Sequence, residues 1–192
     1  MSALYGLALI GIWLGLTTWF WKVWRRVRAQ PDANRGAMDA LGILFAAMWL
    51  GVSFWYGGGR TIYYDTQVRE LCAKDGGVKV YETVKLPPDR FDQWGMVKPY
   101  LPTQKENALG PEYIFKSETT YYRKGNPEMW RAQYRVIRRA DGKVLGETVL
   151  YGRAGGDLPG PWQPSGYRCP EVSQGGPNVL LKSIFVQSTG EH

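Results

Sequence analysis

From Ala40 to Gly59 the chain carries no charge, and Asp39 and Arg60 close this stretch at its two ends. At a rise of about 1.5 Å per residue, a helix of that length is about long enough to cross the ~30 Å hydrocarbon of a bilayer. Everything after Arg60 is then delivered to one side of a membrane.

A second apolar segment precedes it. No charged side chain lies between Met1 and Trp21, and Leu4, Leu7, Leu9, Ile10, Ile12, Trp13, Leu14, Leu16, Trp19 and Phe20 are apolar all round a helical wheel, as a segment in lipid requires. A cleavable signal peptide would need basic residues ahead of the apolar core and small residues behind it. Here the basic residues follow the core, and Trp19, Trp21 and Trp24 stand where small residues are needed. A retained hairpin is expected over residues 1–59, with helices about residues 3–21 and 40–57 and a basic loop over 22–39. The positive-inside rule places that loop, with Lys22, Arg25, Arg26, Arg28 and Arg35, in the cytoplasm. Both termini and the domain over 60–192 are then expected outside, which in a bacterium is the periplasmic side of the inner membrane. Trp19, Trp21 and Trp24 fit one membrane interface, and Trp55 and Tyr56 the other.

Gly11 with Gly15, Gly42 with Ala46, and Ala47 with Gly51 are small-xxx-small pairs that let backbones approach closely in lipid. They are candidates for packing the hairpin together or for docking on a partner's membrane helix. No charge lies at mid-membrane, which argues against an ion path or proton relay.

Of the 192 residues, about 130 remain for one soluble domain of ordinary size. The net charge of +7 divides unevenly: five basic against two acidic residues before Arg60 give +3, and 19 against 15 over the rest give +4. An excess of four over about 130 residues does not point to nucleic acid, which calls for a concentrated basic face. Gly57, Gly58 and Gly59 are expected to end the second helix at the membrane surface, as a sharp exit or a hinge. Asp65 or Thr66 is expected to cap a short helix to about Ala73, with Tyr64, Val68, Leu71 and Cys72 at helical spacing. Val78 to Leu86 alternates as a strand before Pro87, and residues 89–111 read as irregular surface. Glu112 to Lys124 and Met129 to Arg139 read as strands. An Asp141-Gly142 turn then sets Tyr134 opposite Val149 and Ala132 opposite Tyr151. Arg131, Arg135 and Arg139 are expected in a row on one face, either as a solvated sheet face or as a basic surface for an acidic partner or anionic lipid headgroups. The Gly/Pro-rich passage after Tyr151 is excluded from a central strand, Asn178 to Ser188 is expected as the last strand, and the chain end as frayed.

Cys72 and Cys169 are the chain's two cysteines. In an oxidising compartment a disulfide is their most economical state, with two free core thiols as the alternative; no CxxC spacing supports a redox pair. The one histidine is His192, so no His-dependent triad or zinc signature is present, and GxSxG, SxxK and HExxH are absent. No metal or cofactor is implied. Glu82, Asp89, Asp92, Glu112, Glu118 and Glu147 are the carboxylates from which a glycosidase-like pair would have to be drawn.

The run Val68–Leu86, VRELCAKDGGVKVYETVKL, resembles a stretch in small uncharacterised membrane-anchored proteins of proteobacteria. The resemblance implies a bacterial envelope setting and a paired cysteine, and carries no activity. The fold class expected is α+β: a two-helix transmembrane hairpin followed by a mainly antiparallel sheet domain with one short packed helix. The function expected is that of a non-catalytic accessory or structural subunit of an envelope complex, meeting the bilayer and protein partners. A membrane-tethered periplasmic enzyme with paired carboxylates, or a ligand- or lipid-binding module with an apolar pocket between sheet and helix, are the alternatives.

Overall fold

The computed structural model describes residues 2–30, 35–158, 160 and 163–188. It divides into two compact units, Met1–Arg60 with Gly156–Pro164, and Thr61–Gly155 with Ser165–His192. The expected α+β class holds: long N-terminal helices precede a mainly antiparallel sheet and a short C-terminal helix.

In the first unit, α1 (Ser2–Arg28) and α2 (Arg35–Phe54) are antiparallel. Phe20 stacks on Phe45 with ring centroids 3.8 Å apart, Trp13 Nε1 donates to Ser53 Oγ at 2.9 Å, and Arg28 Nε reaches Asp39 at 3.0 Å. Two helices are thus long and apolar enough to cross a membrane, and their apolar windows are unburied by the chain itself. The connector is shorter than the expected loop over 22–39. Lys22, Arg25, Arg26 and Arg28 all lie within α1, because long basic side chains are good helix formers. The remainder of the connector, residues 31–34, lies outside the described residues.

The glycines after α2 end its helical path, and the next helix follows almost at once. Residues Trp55–Gly59 form a π-type turn, Gly58 takes φ 156° where the helical path breaks, and α3 (Arg60–Asp75) begins at the next residue but one. Helix α3 is therefore longer than the expected short helix. It stops at Gly76, whose amide donates to Cys72 O at 2.8 Å, and Gly77 turns the chain with φ 105°, a conformation that favours glycine.

The second unit is built on a five-stranded sheet. Strands β1 (Gly77–Val80), β5 (Val144–Ala154), β4 (Glu128–Arg138) and β3 (Tyr113–Arg123) lie in that order, and β6 (Gly166–Cys169) pairs with β5 beyond β1. Val78 to Leu86 is not one strand. After β1 the chain leaves the main sheet, and β2 (Val84–Leu86) pairs in parallel with β7 (Phe185–Gln187). The expected final strand is also largely helical: after the single turn α4 (Val172–Gly175), α5 spans Pro177–Ile184. Proline at the first helical turn costs no hydrogen bond, and Leu180, Leu181 and Ile184 share one buried face.

The β4–β5 register differs from expectation by one residue. Tyr134 pairs with Thr148 and Ala132 with Leu150, while Val149 and Tyr151 face Gln133 and Arg131. The connection over 139–142 is longer than a two-residue turn, closing with Arg138 N on Lys143 O at 2.8 Å. Leu145 is then an extra residue between the Val136–Gly146 and Ile137–Val144 pairs, a bulge whose carbonyl accepts from Tyr81 N at 2.8 Å and Glu82 N at 2.9 Å. A one-residue shift exchanges the faces of every later side chain.

Each face of the sheet has its own core. Val136, Phe115 and Leu145 pack with Leu180, Leu181, Ile184 and Phe185 on one side. Residues 89–111 are not merely surface, since Phe91, Val97, Ala108 and Leu109 join this cluster through the 3₁₀ turns Pro88–Arg90 and Pro102–Asn107. On the other side Val68 and Cys72 of α3 pack on Met129, Val149 and Tyr151. The chain end from residue 189, including His192, lies outside the described residues.

Candidate functional site

Helix α3 is fastened to the sheet at three levels, the first of them through the buried Arg153. Tyr64, Val68, Leu71 and Cys72 recur at the three- and four-residue spacing that puts side chains on one helical face, and all four belong to the cluster under α3.

Near the start of the helix, Asp65 meets Arg153 of β5. Arg153 Nε lies 2.5 Å from Asp65 Oδ1 and Nη2 3.3 Å from Oδ2. Nη1 donates to Gly155 O and, at 3.1 Å, to Ser165 Oγ. The guanidinium is 4% exposed as a residue, so its charge is tolerated through this set of acceptors. At mid-helix Cys72 is joined to Cys169, with Cα atoms 5.9 Å apart; the expected disulfide is formed, and it ties α3 to β6.

At the end of the helix, Tyr151 Oη donates to Asp75 Oδ1 at 2.6 Å and Arg131 Nη2 to Oδ2 at 3.1 Å. A carboxylate at a helix C-terminus faces the negative end of the dipole. Partial burial also disfavours its charge, but the Tyr151 and Arg131 hydrogen bonds outweigh it and hold Asp75 below the usual carboxylate range. Burial and the bond to Asp75 push the Tyr151 phenol well above its ordinary value. The chain of contacts continues: Arg131 Nη1 donates to Gln133 Oε1 at 3.1 Å, Gln133 Nε2 to Glu147 Oε2 at 2.7 Å, and Tyr81 Oη to Glu147 Oε1 at 2.7 Å. The Tyr81 hydrogen bond, working against partial burial and helped by Gln133, lowers the Glu147 carboxyl.

This arrangement alters the meaning of the expected basic row. Arg131 is half-buried and paired with Asp75. Arg135 pairs with Glu118 at 3.2 Å, and Arg139 donates to Asn107 Oδ1 at 2.9 Å from beyond the end of β4. The three arginines do not form a stripe of unpaired charge. The candidate carboxylates are likewise dispersed. Glu82 accepts from Arg138 and from Lys143 at 2.6 Å, those two bonds holding its carboxyl low. Asp92 accepts the Trp94 and Met96 amides at 2.9 and 2.8 Å, Glu112 lies 3.7 Å from Arg90, and Asp89 sits in the 3₁₀ turn Pro88–Arg90. No group of three or more His, Cys, Asp or Glu side chains able to hold a metal converges among the described residues.

In the hairpin, the small residues play a narrower part than their spacing allows. A Cβ on Gly42 would meet the Trp24 indole at 2.6 Å, whereas Gly11, Gly15 and Gly51 have nothing within 4 Å of that position. Ala46 lines an apolar groove with Leu16, Phe20, Phe45 and Trp49, and Ala47 is exposed. Gly42 packs under the Trp24 indole across the hairpin, and aromatic side chains make most of the other contacts between α1 and α2.

Asp65 and Thr66, expected to cap the helix, lie inside α3 instead; the pairing of Asp65 with Arg153 and the roles of Asp75 and Tyr151 escape sequence reasoning because they depend on register. An arginine following the apolar run VLYG on β5 was the available signal, since it continues a strand whose neighbours are buried. No family model matches the chain, and neither a curated protein nor a solved structure shows significant similarity to it.

Proposed function

We propose that this chain is a membrane-anchored accessory or structural subunit of a bacterial envelope complex, holding partners through its hairpin and through the sheet domain. The observation that carries this is the division of labour in the hairpin. Its two helices meet through Phe20, Phe45, Trp13 and Trp24, while Gly11, Gly15 and Gly51 keep open space beside their backbones, the surface a second membrane helix needs for close approach. A periplasmic domain agrees with two further features. Lys22, Arg25, Arg26 and Arg28 at the end of α1 favour the cytoplasm, and the Cys72–Cys169 disulfide belongs in an oxidising compartment.

Purification from membranes in a mild detergent, with particle mass and identification of whatever accompanies the chain, is the test. A companion in fixed proportion, reduced when Gly15→Leu fills the open face, supports the proposal. A chain that elutes alone, unchanged by Gly15→Leu, overturns it.

A further inference from the structure

Toward their connected ends α1 and α2 leave an apolar groove between them, about 360 Å³ in volume. Val23, Trp24 and Val27 wall it on one helix, and Met38, Leu41 and Met48 on the other. From Met38 to Met48 it runs about 15 Å at the helical rise, half of the ~30 Å hydrocarbon of a bilayer. The groove therefore has the depth of one leaflet. Its Trp24 wall is fixed in advance. The indole lies against Gly42, where a Cβ would come within 2.6 Å of it, and its Nε1 donates to Met38 O at 3.4 Å.

The mouth of this groove is cationic. Arg26 stands three residues past Val23, Arg28 four past Trp24, and Arg35 three before Met38, spacings that make side chains neighbours one turn apart. Arg28 is held in place, its guanidinium 5.4 Å from the Trp24 ring centroid and bonded to Asp39. Asp39 is the one carboxylate in α1 or α2, and Arg28 takes it up. Arg26 and Arg35 are exposed and form no ion pair among the described residues, so their charge is left for an anion. Lys22 and Arg25 belong to another side, each about 150° round α1 from the face that lines the groove.

An occupant has to satisfy both parts. A free anion answers the arginines and leaves the groove empty, an apolar helix does the reverse, and a zwitterionic lipid carries its own amine beside its phosphate. An anionic phospholipid supplies a phosphate for planar guanidinium donors and an acyl chain of one leaflet's depth. We propose that the groove binds one anionic phospholipid from the leaflet on the basic side. Arg26, Arg28 and Arg35 hold its phosphate, as basic pockets between membrane helices do, and an acyl chain lies along Val23, Val27 and Met38. The inference rests on the membrane reading of the hairpin and needs no protein companion.

The full-length chain, extracted from membranes into a mild detergent and stripped of lipid, is titrated with phosphatidylglycerol or phosphatidylethanolamine of identical acyl chains, and bound lipid is counted by native mass spectrometry. One phosphatidylglycerol should be retained in clear preference to phosphatidylethanolamine. Arg26→Gln and Arg35→Gln should each weaken that retention about fivefold, the share of one cation beside an anionic headgroup. Arg25→Gln removes the same charge from the other side of α1 and should leave retention unchanged. Val27→Trp keeps every charge but fills the groove, and should lower retention several-fold. Helical content is checked for each variant. Equal retention of the two lipids, equal losses with Arg25→Gln and Arg26→Gln, or indifference to Val27→Trp overturns the proposal. Release of the chain from membranes by alkaline carbonate removes the membrane reading and this site with it, whereas a chain that resists carbonate and shows no lipid preference removes the site alone.

Discussion

Leu44 on α2 and Leu180 on α5 are the same side chain in opposite surroundings, 69% and 0% exposed. Leu14, Ile43 and Leu50 accompany the first, and Leu145, Leu181 and Ile184 the second. In the sheet domain the chain supplies its own apolar interior, and polar groups that enter it arrive with partners, as Arg153 does with Asp65. In the hairpin the helices touch along one aromatic seam and leave the rest of their apolar surface outward, as lipid permits and water does not. The sheet domain thus buries its apolar side chains against one another, whereas the hairpin's two helices, long and apolar enough to cross a membrane, leave theirs outward.

Breaking the sheet domain at its longest covalent tie should have the largest effect. Replacing Cys72 and Cys169 by serine opens a link between residues 97 apart in sequence, and should lower stability by about 4–5 kcal/mol in the chain-entropy model, read as a fall in the domain's thermal midpoint. Leu180→Ala should cost about 3 kcal/mol by cavity formation, while Leu44→Ala should change detergent-solubilised stability by less than about 0.5 kcal/mol; similar losses at both sites would erase the distinction between the two regions. Arg153→Ala leaves Asp65 without its cation at a largely buried site and should cost about 3 kcal/mol, whereas Arg135→Ala removes an exposed pair and should cost at most about 1 kcal/mol.

Acid titration sharpens the same contrast. Asp75, Glu82 and Glu147 have folded carboxyls below their ordinary values. Their contribution is complete above the unfolded values, about 3.9 for Asp and 4.3 for Glu, and is lost as pH falls through the lower folded values. Melting of the sheet domain should therefore weaken below about pH 4, and Asp75→Asn should flatten that dependence. The helicity of the hairpin, whose membrane-length stretches hold no carboxylate, should not follow it.

The hairpin was legible from sequence because it follows from counting: an uncharged run of membrane length can be measured without any tertiary knowledge. The disulfide was legible because two cysteines leave one intramolecular pairing. The strand β3 was legible from its Tyr, Thr, Ile and Phe content, and β4 from its alternation. Register was not, since the Leu145 bulge and the longer connection over 139–142 depend on tertiary hydrogen bonds such as those from Tyr81 and Glu82. Shifting Val149 and Tyr151 to the α3 face then hid the Asp75–Tyr151–Arg131 network, and made Arg131 look like a free basic residue. The final segment read as a strand because Val, Leu, Ile and Phe dominate it; Pro177 and the spacing of Leu180, Leu181 and Ile184 were the helical signal.

Orientation across the membrane is the most direct test of this two-solvent organisation. Asp141 is exposed in the β4–β5 connection and Arg26 near the end of α1, so each is substituted singly by cysteine and treated in intact spheroplasts with a membrane-impermeant maleimide. Asp141→Cys should label from outside, and Arg26→Cys only after permeabilisation. Labelling of Arg26→Cys in intact spheroplasts with Asp141→Cys protected would contradict a hairpin that presents the sheet domain to the periplasm.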